Sequence, residues 1–222
     1  MTPSLLEQND FDLFATILCD ICRRLHVSAT VVPLSLCYFA DILAAGWIPD
    51  DIITHEVMVA ACILLACKHV EEGHGVRHIA IALCTILVPD SSTANPSELA
   101  LGNVEVNSSQ TYYDLVRDRV GQAELHLLRH IGFFLDRDLP LFNLENLDIP
   151  LEELSSLYTV LLSCLSSHRA HFLIRETDFD RVLRVARAVT FQIQNPEQQI
   201  TISPNDEDLA CTILDVLTLK MS

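Results

Sequence analysis

The ten residues Val59-Ala60-Ala61-Cys62-Ile63-Leu64-Leu65-Ala66-Cys67-Lys68 decide how this chain is read: nine apolar or small side chains in a row, then a charge. At a repeat of 3.6, Val57, Ala61, Leu64, Leu65 and Lys68 fall on one helical face. A second stretch, Tyr112 through Phe133, repeats the design. There Val116, Val120, Ala123, Glu124, Leu127, Leu128 and Ile131 share a face, with Glu124 as its lone acid. Lysine and glutamate are rarely buried unless paired, and desolvating either alone costs several kcal/mol. Each must therefore meet water, its counterpart or the polar backbone of a partner, and a partner is the expectation.

Outward from these stretches the pattern stays helical, and strand signals are absent, which predicts an all-α fold. Helices are expected over 9–26, 28–45, 54–72, 75–88 and 111–135, with Ser28 and Thr54 as N-caps and Gly46 and Gly73 as stops. Pro33 lies one turn inside the second helix and argues for a later start there. Residues 89–110 are rich in turn formers and polar groups and read as a surface insertion. A break follows over 136–150, bracketed by Pro140 and Pro150. Three more helices are expected near 151–172, 178–194 and 205–219, the last capped by Asn205 or Asp206. This gives a first domain over 1–135 and a reduced helical domain over 136–222. No repeat of fixed period suggests a solenoid.

Composition narrows the function. Half of the 222 residues are apolar, enough for a sizeable core. The apolar runs at 57–67 and 79–88 fall short of the roughly 20 residues that span a bilayer. Leu5 is followed at once by Glu7, Asp10 and Asp12, unlike a secretory signal, so a cytosolic or nuclear protein is expected. The eight cysteines sit mostly inside apolar runs, as core thiols of a reducing compartment would, and no disulfide is expected. A net charge of −16 opposes binding to nucleic acid and favours a basic protein partner. Of 14 cations only Lys68 and Lys220 are lysines, which makes Lys68 stand out.

Other constellations have bland readings. Cys19, Cys22 and His26 form a C-x-x-C with a histidine one turn on, but a structural zinc site wants four ligands and no second pair is placed to help. His74 with His78, and His126 with His130, have zinc-compatible spacing yet lack the glutamate of a metalloprotease helix. Arg181, Arg184 and Arg187 line one face and are expected to pair with the chain's own carboxylates. No phosphate loop, nucleophile elbow or paired-carboxylate motif appears. Neither catalysis nor a metal or cofactor is expected.

The run Leu64-Leu65-Ala66-Cys67-Lys68 followed by Val70-Glu71-Glu72 resembles the leucine-alanine-x-lysine-x-glutamate-glutamate signature of the third helix of a cyclin box. The segment Tyr113 to Arg129 is most similar to the transcription-type cyclins, in the subgroup of cyclin Q (cyclin M). The likeness is good over about 9–135 and loose over 136–222. It implies a cyclin fold, one complete five-helix box and a degenerate second one, acting as the activating subunit of a cyclin-dependent kinase in the nucleus or cytoplasm. By the same resemblance Lys68 and Glu124 hydrogen-bond the backbone at the start of the kinase's C-helix, while His69, Leu128, Phe133 and Leu135 line that contact. One extra residue separates Lys68 from Glu71-Glu72, which rotates the acidic pair by about 100°. The methionine-arginine-x-x-leucine patch by which cell-cycle cyclins recruit substrates has no match in Phe11 to Leu18. Two competing roles are a promoter-binding transcription-factor cyclin fold, which the acidity opposes, and a kinase-independent helical scaffold.

Overall fold

The computed structural model describes residues 5–87, 112–137, 144, 149–197 and 202–221, with side chains from residue 11 to residue 218. The expected insertion at 89–110 and most of the expected break at 136–150 lie outside the described residues. Among these the protein is all-helical, without strands. The helices are α1 (Leu5–Leu25), α2 (Val31–Ala44), α3 (His55–His69), α4 (Val76–Leu87), α5 (Tyr112–His130), α6 (Leu151–Leu165), α7 (His168–Glu176), α8 (Phe179–Gln194) and α9 (Glu207–Met221), the last preceded by a 3-10 turn at Pro204–Asp206. The chain divides into two compact units. One is Leu13–Arg137; the other is Asp138–Ser222 with Met1–Asp12. The expected first domain began at residue 1, whereas here the first twelve residues belong with the C-terminal unit.

In the unit Leu13–Arg137, α3 is the centre. Every residue from Val57 to Cys67 is buried, on all sides of the helix and not only on the predicted stripe. It packs against α2, α4 and α5. α5 offers it Val116, Arg119, Val120, Ala123, Glu124 and Leu127, the predicted face with Arg119 added and with Leu128 and Ile131 only half-buried.

Helix ends show where local chemistry was read correctly and where it was not. α2 starts at Val31, later than expected; Ser28 does not cap it, and Pro33 sits in the first turn, where no N–H is needed. Gly46 ends that helix with φ 77°, as anticipated. Gly73 does not stop α3. The stop is Glu71, at φ 57°, with Glu72 N donating to Cys67 O at 2.8 Å and Glu71 N to Lys68 O at 3.3 Å. His26 closes α1 in the same way at φ 52°. Thr54 is the N-cap residue of α3, but its hydroxyl makes no capping bond.

In the other unit the single helix expected over 151–172 is two, broken at Ser166-Ser167. Nothing in that dipeptide breaks a helix as glycine or proline would. The cause is long-range: Asp12 Oδ1 accepts from His168 N at 2.7 Å, capping α7. The fully buried His171 ring bonds the Leu165 carbonyl at 2.8 Å, closing α6. Phe11 packs edge-on against His168 and His171.

One titratable group sits badly for acid. His126 and His130 on α5 stack at 4.3 Å, and His126 Nε2 is buried without a hydrogen-bond partner. Burial, then the neighbouring His130, hold His126 below its ordinary 6.5; Asp50 opposes the shift and Arg129 adds to it. A folded-state value below the unfolded one means the unfolded chain takes up protons first. His126 therefore contributes stability that is present above 6.5 and is lost as pH falls through its folded-state value. Melting temperatures measured from pH 7.5 to 5 are expected to fall, and less steeply in His126→Gln.

Candidate functional site

α3 leaves the core at Lys68, the first exposed residue after the buried run. One face of α5 lies along α3, which brings residue 124 opposite residue 68 across a sequence gap of 56. Lys68 Nζ donates to Glu124 Oε1 at 2.5 Å and to Oε2 at 2.8 Å. The two charges singled out in the sequence thus meet each other in the free chain.

The pair is lopsided. The Lys68 side chain is 56% exposed and that of Glu124 only 12%. The ammonium is largely wet and retains a third N–H, whereas the carboxylate is nearly dry and depends on the lysine.

The other predicted residues lie on the last turn of α3, on α5 and in the segment that follows α5. His69 Nε2 lies 3.4 Å from Asp136 Oδ1, joining the last turn of α3 to the segment after α5. Leu128, one turn beyond Glu124, is half-buried, and its carbonyl accepts from Phe133 N at 3.0 Å. Phe133 is 69% exposed, and Leu135 is half-buried with its carbonyl accepting from Tyr38 Oη at 2.8 Å. Phe134, 76% exposed, is an additional apolar group that the sequence reading passed over, although an aromatic pair directly after Gly132 was the available signal.

Glu72 has a different role. Its carboxylate accepts from Ser28 N at 3.0 and 3.1 Å and from Ser28 Oγ at 2.8 Å, fastening the α1–α2 turn to the end of α3. Glu71 is exposed in its left-handed turn. The extra residue after Lys68 thus turns one member of the acidic pair to a structural task.

Elsewhere the geometry is that of ordinary packing. All eight cysteines are free thiols; burial pushes those of Cys22 and Cys62 well up and that of Cys67 to about 12. Among the described residues no three His, Cys, Asp or Glu side chains are placed to hold a metal. Arg181 and Arg184 pair with Asp206 at 2.7 and 3.4 Å, and Arg187 pairs with Glu153 at 2.6 Å, so the arginine strip meets the chain's own carboxylates. Asp206 is spoken for by these arginines, and its carboxyl is held below the usual range by the Arg181 hydrogen bond first. A groove between α6 and α8, floored by Phe191 and crossed by the Arg187–Glu153 pair, contains neither a nucleophile beside a base nor two facing carboxylates without a cation. No described helix is long and apolar enough to cross a membrane.

No protein-family model matches the chain, and no curated protein is matched as a relative.

The unequal exposure of the ion pair has a measurable consequence. Lys68→Met strands a dry carboxylate and is expected to cost ~1–2 kcal/mol, the lysine's exposure keeping it below the cost for a wholly buried pair. Adding Glu124→Gln to Lys68→Met is expected to recover at least half of that loss in urea unfolding at unchanged m-value.

Proposed function

We propose that this chain is the activating subunit of a cyclin-dependent Ser/Thr protein kinase, and that its helices form a cyclin fold with one complete box and a reduced second one. The observation that carries the reading is the Lys68–Glu124 pair at 2.5 Å, at the margin of the unit that also holds half-buried Leu128, exposed Phe133 and half-buried Leu135. These are the positions that the cyclin resemblance assigns to the kinase contact, drawn from two segments far apart in sequence.

The physics of such a contact is simple. A kinase is active when the glutamate of its C-helix pairs with the lysine that positions ATP, and a rigid helical surface docked beside that helix selects this arrangement. Phe133, Leu128 and Leu135 supply apolar area for the dock. Lys68 gives its remaining donor to a kinase backbone carbonyl, and Glu124 holds the ammonium in place; together they set register more than affinity. The kinase carries out phosphoryl transfer, and this chain contributes shape and two charges. Transcription-linked or cell-cycle regulation in the nucleus or cytoplasm is the setting that the resemblance favours.

Co-expression with cyclin-dependent kinases, followed by affinity capture and a phosphorylation assay, tests the reading. Retention of one kinase and a gain in its activity are expected. Charge reversal at Lys68 or Glu124 should weaken capture by a few kcal/mol with unchanged helical circular dichroism. The exchanged pair Lys68→Glu with Glu124→Lys restores the internal attraction but presents an acid to the kinase, and is expected to stay weak. Capture equal to wild type in all three variants would remove the proposal.

A further inference from the structure

We propose that Arg137 is a positioning residue that holds the segment 131–136 in the shape that presents Phe133 and Leu135 to the kinase; this rests on the function proposed above. α5 ends at His130, and the chain then makes two successive left-handed steps, Gly132 at φ 66° and Phe133 at φ 63°. Glycine takes the first without cost. A bulky aromatic residue does not favour the second, so surrounding contacts must impose it.

Those contacts converge on the next three carbonyls. Arg137 Nη1 donates to Phe134 O at 2.6 Å and to Asp136 O at 2.8 Å, while Tyr38 Oη donates to Leu135 O at 2.8 Å. Both donors are anchored on α2. Arg137 Nε reaches Asp41 Oδ2 at 2.7 Å, and its guanidinium lies over the Tyr38 ring at 5.3 Å from the centroid. One planar group thus bonds a carboxylate with one edge and two carbonyls with another nitrogen while stacking on an aromatic face, a combination that an ammonium cannot reproduce. The Arg137 side chain is only 13% exposed, whereas Phe133 is 69% exposed. Arg137 acts through the aromatic residue and not by touching the partner.

Two measurements on the full chain test this. Backbone amide exchange of residues 132–136 in the free protein is expected to speed up in Arg137→Lys, and in Tyr38→Phe, which removes a single hydroxyl if the arginine variant folds poorly. Kinase dissociation is then followed in a cycle of Arg137→Lys and Phe133→Ala. With Phe133 present, Arg137→Lys should hasten dissociation about tenfold; with Phe133→Ala already made it should add nothing. Unchanged exchange, or effects that simply add, overturns the inference. If the wild-type chain retains no kinase, the function proposed above falls, and the exchange rates still decide whether Arg137 holds the segment.

Discussion

A helix with no wet face constrains everything placed around it. The eleven residues from Val57 to Cys67 are all buried, so the surrounding helices, α2, α4 and α5 foremost, must cover the whole circumference of α3. Small side chains make that possible. Ala60, Ala61, Cys62, Ala66 and Cys67 let neighbouring helices approach closely, while Met58, Ile63, Leu64 and Leu65 fill the remaining space. Such a helix meets water only where it leaves the core. Lys68 occupies that exit, one residue after the last buried position, where its charge reaches water.

The exits of α1, α3 and α5 are built alike, with a residue in left-handed conformation and an amide reaching back five residues to a carbonyl. At α1 and α3 that residue is His26 or Glu71 rather than glycine, each at a cost of ~1–2 kcal/mol. Long-range bonds offset the cost. At α3 the turn delivers Glu72 to Ser28, and after α5 it delivers three carbonyls to Arg137 and Tyr38. The margins beside Lys68 and Phe133 are thereby fixed by contacts from elsewhere in the same unit, which is what a surface needs if it is to be rigid before a partner arrives.

Much of this was legible in the residues. An apolar repeat, or in α3 an unbroken apolar run, located most of the helices to within a few positions, because either is a property of the segment itself. Lys68 and Glu124 stood out because each interrupts such a repeat. What sequence could not supply was their mutual distance, since helix packing brings residues 56 apart together without any local mark. The same limit hid the break between α6 and α7, set by Asp12 from far along the chain, and the stop at Glu71, where the tempting Gly73 goes unused. Nothing in the sequence marked Arg137. Its convergence with Asp41, Tyr38 and two carbonyls shows only in the fold.

The polarity of the Lys68–Glu124 pair bears on how it serves recognition. A fully buried pair spends its attraction on its own desolvation, and a fully exposed one is screened to near nothing. This pair is divided: the acid lies inside, where its hydrogen bonds are strong, and the base outside, where its spare donor meets solvent. The ammonium is therefore fixed before any partner binds, and little side-chain entropy is left to lose on docking. Around it lies a chain of net charge −16, so under the function proposed above the long-range field would draw a basic surface and the held ammonium would choose its acceptor at short range. In the proposed complex, attraction and register would then be separate tasks, the first resting on the net charge and the second on Lys68.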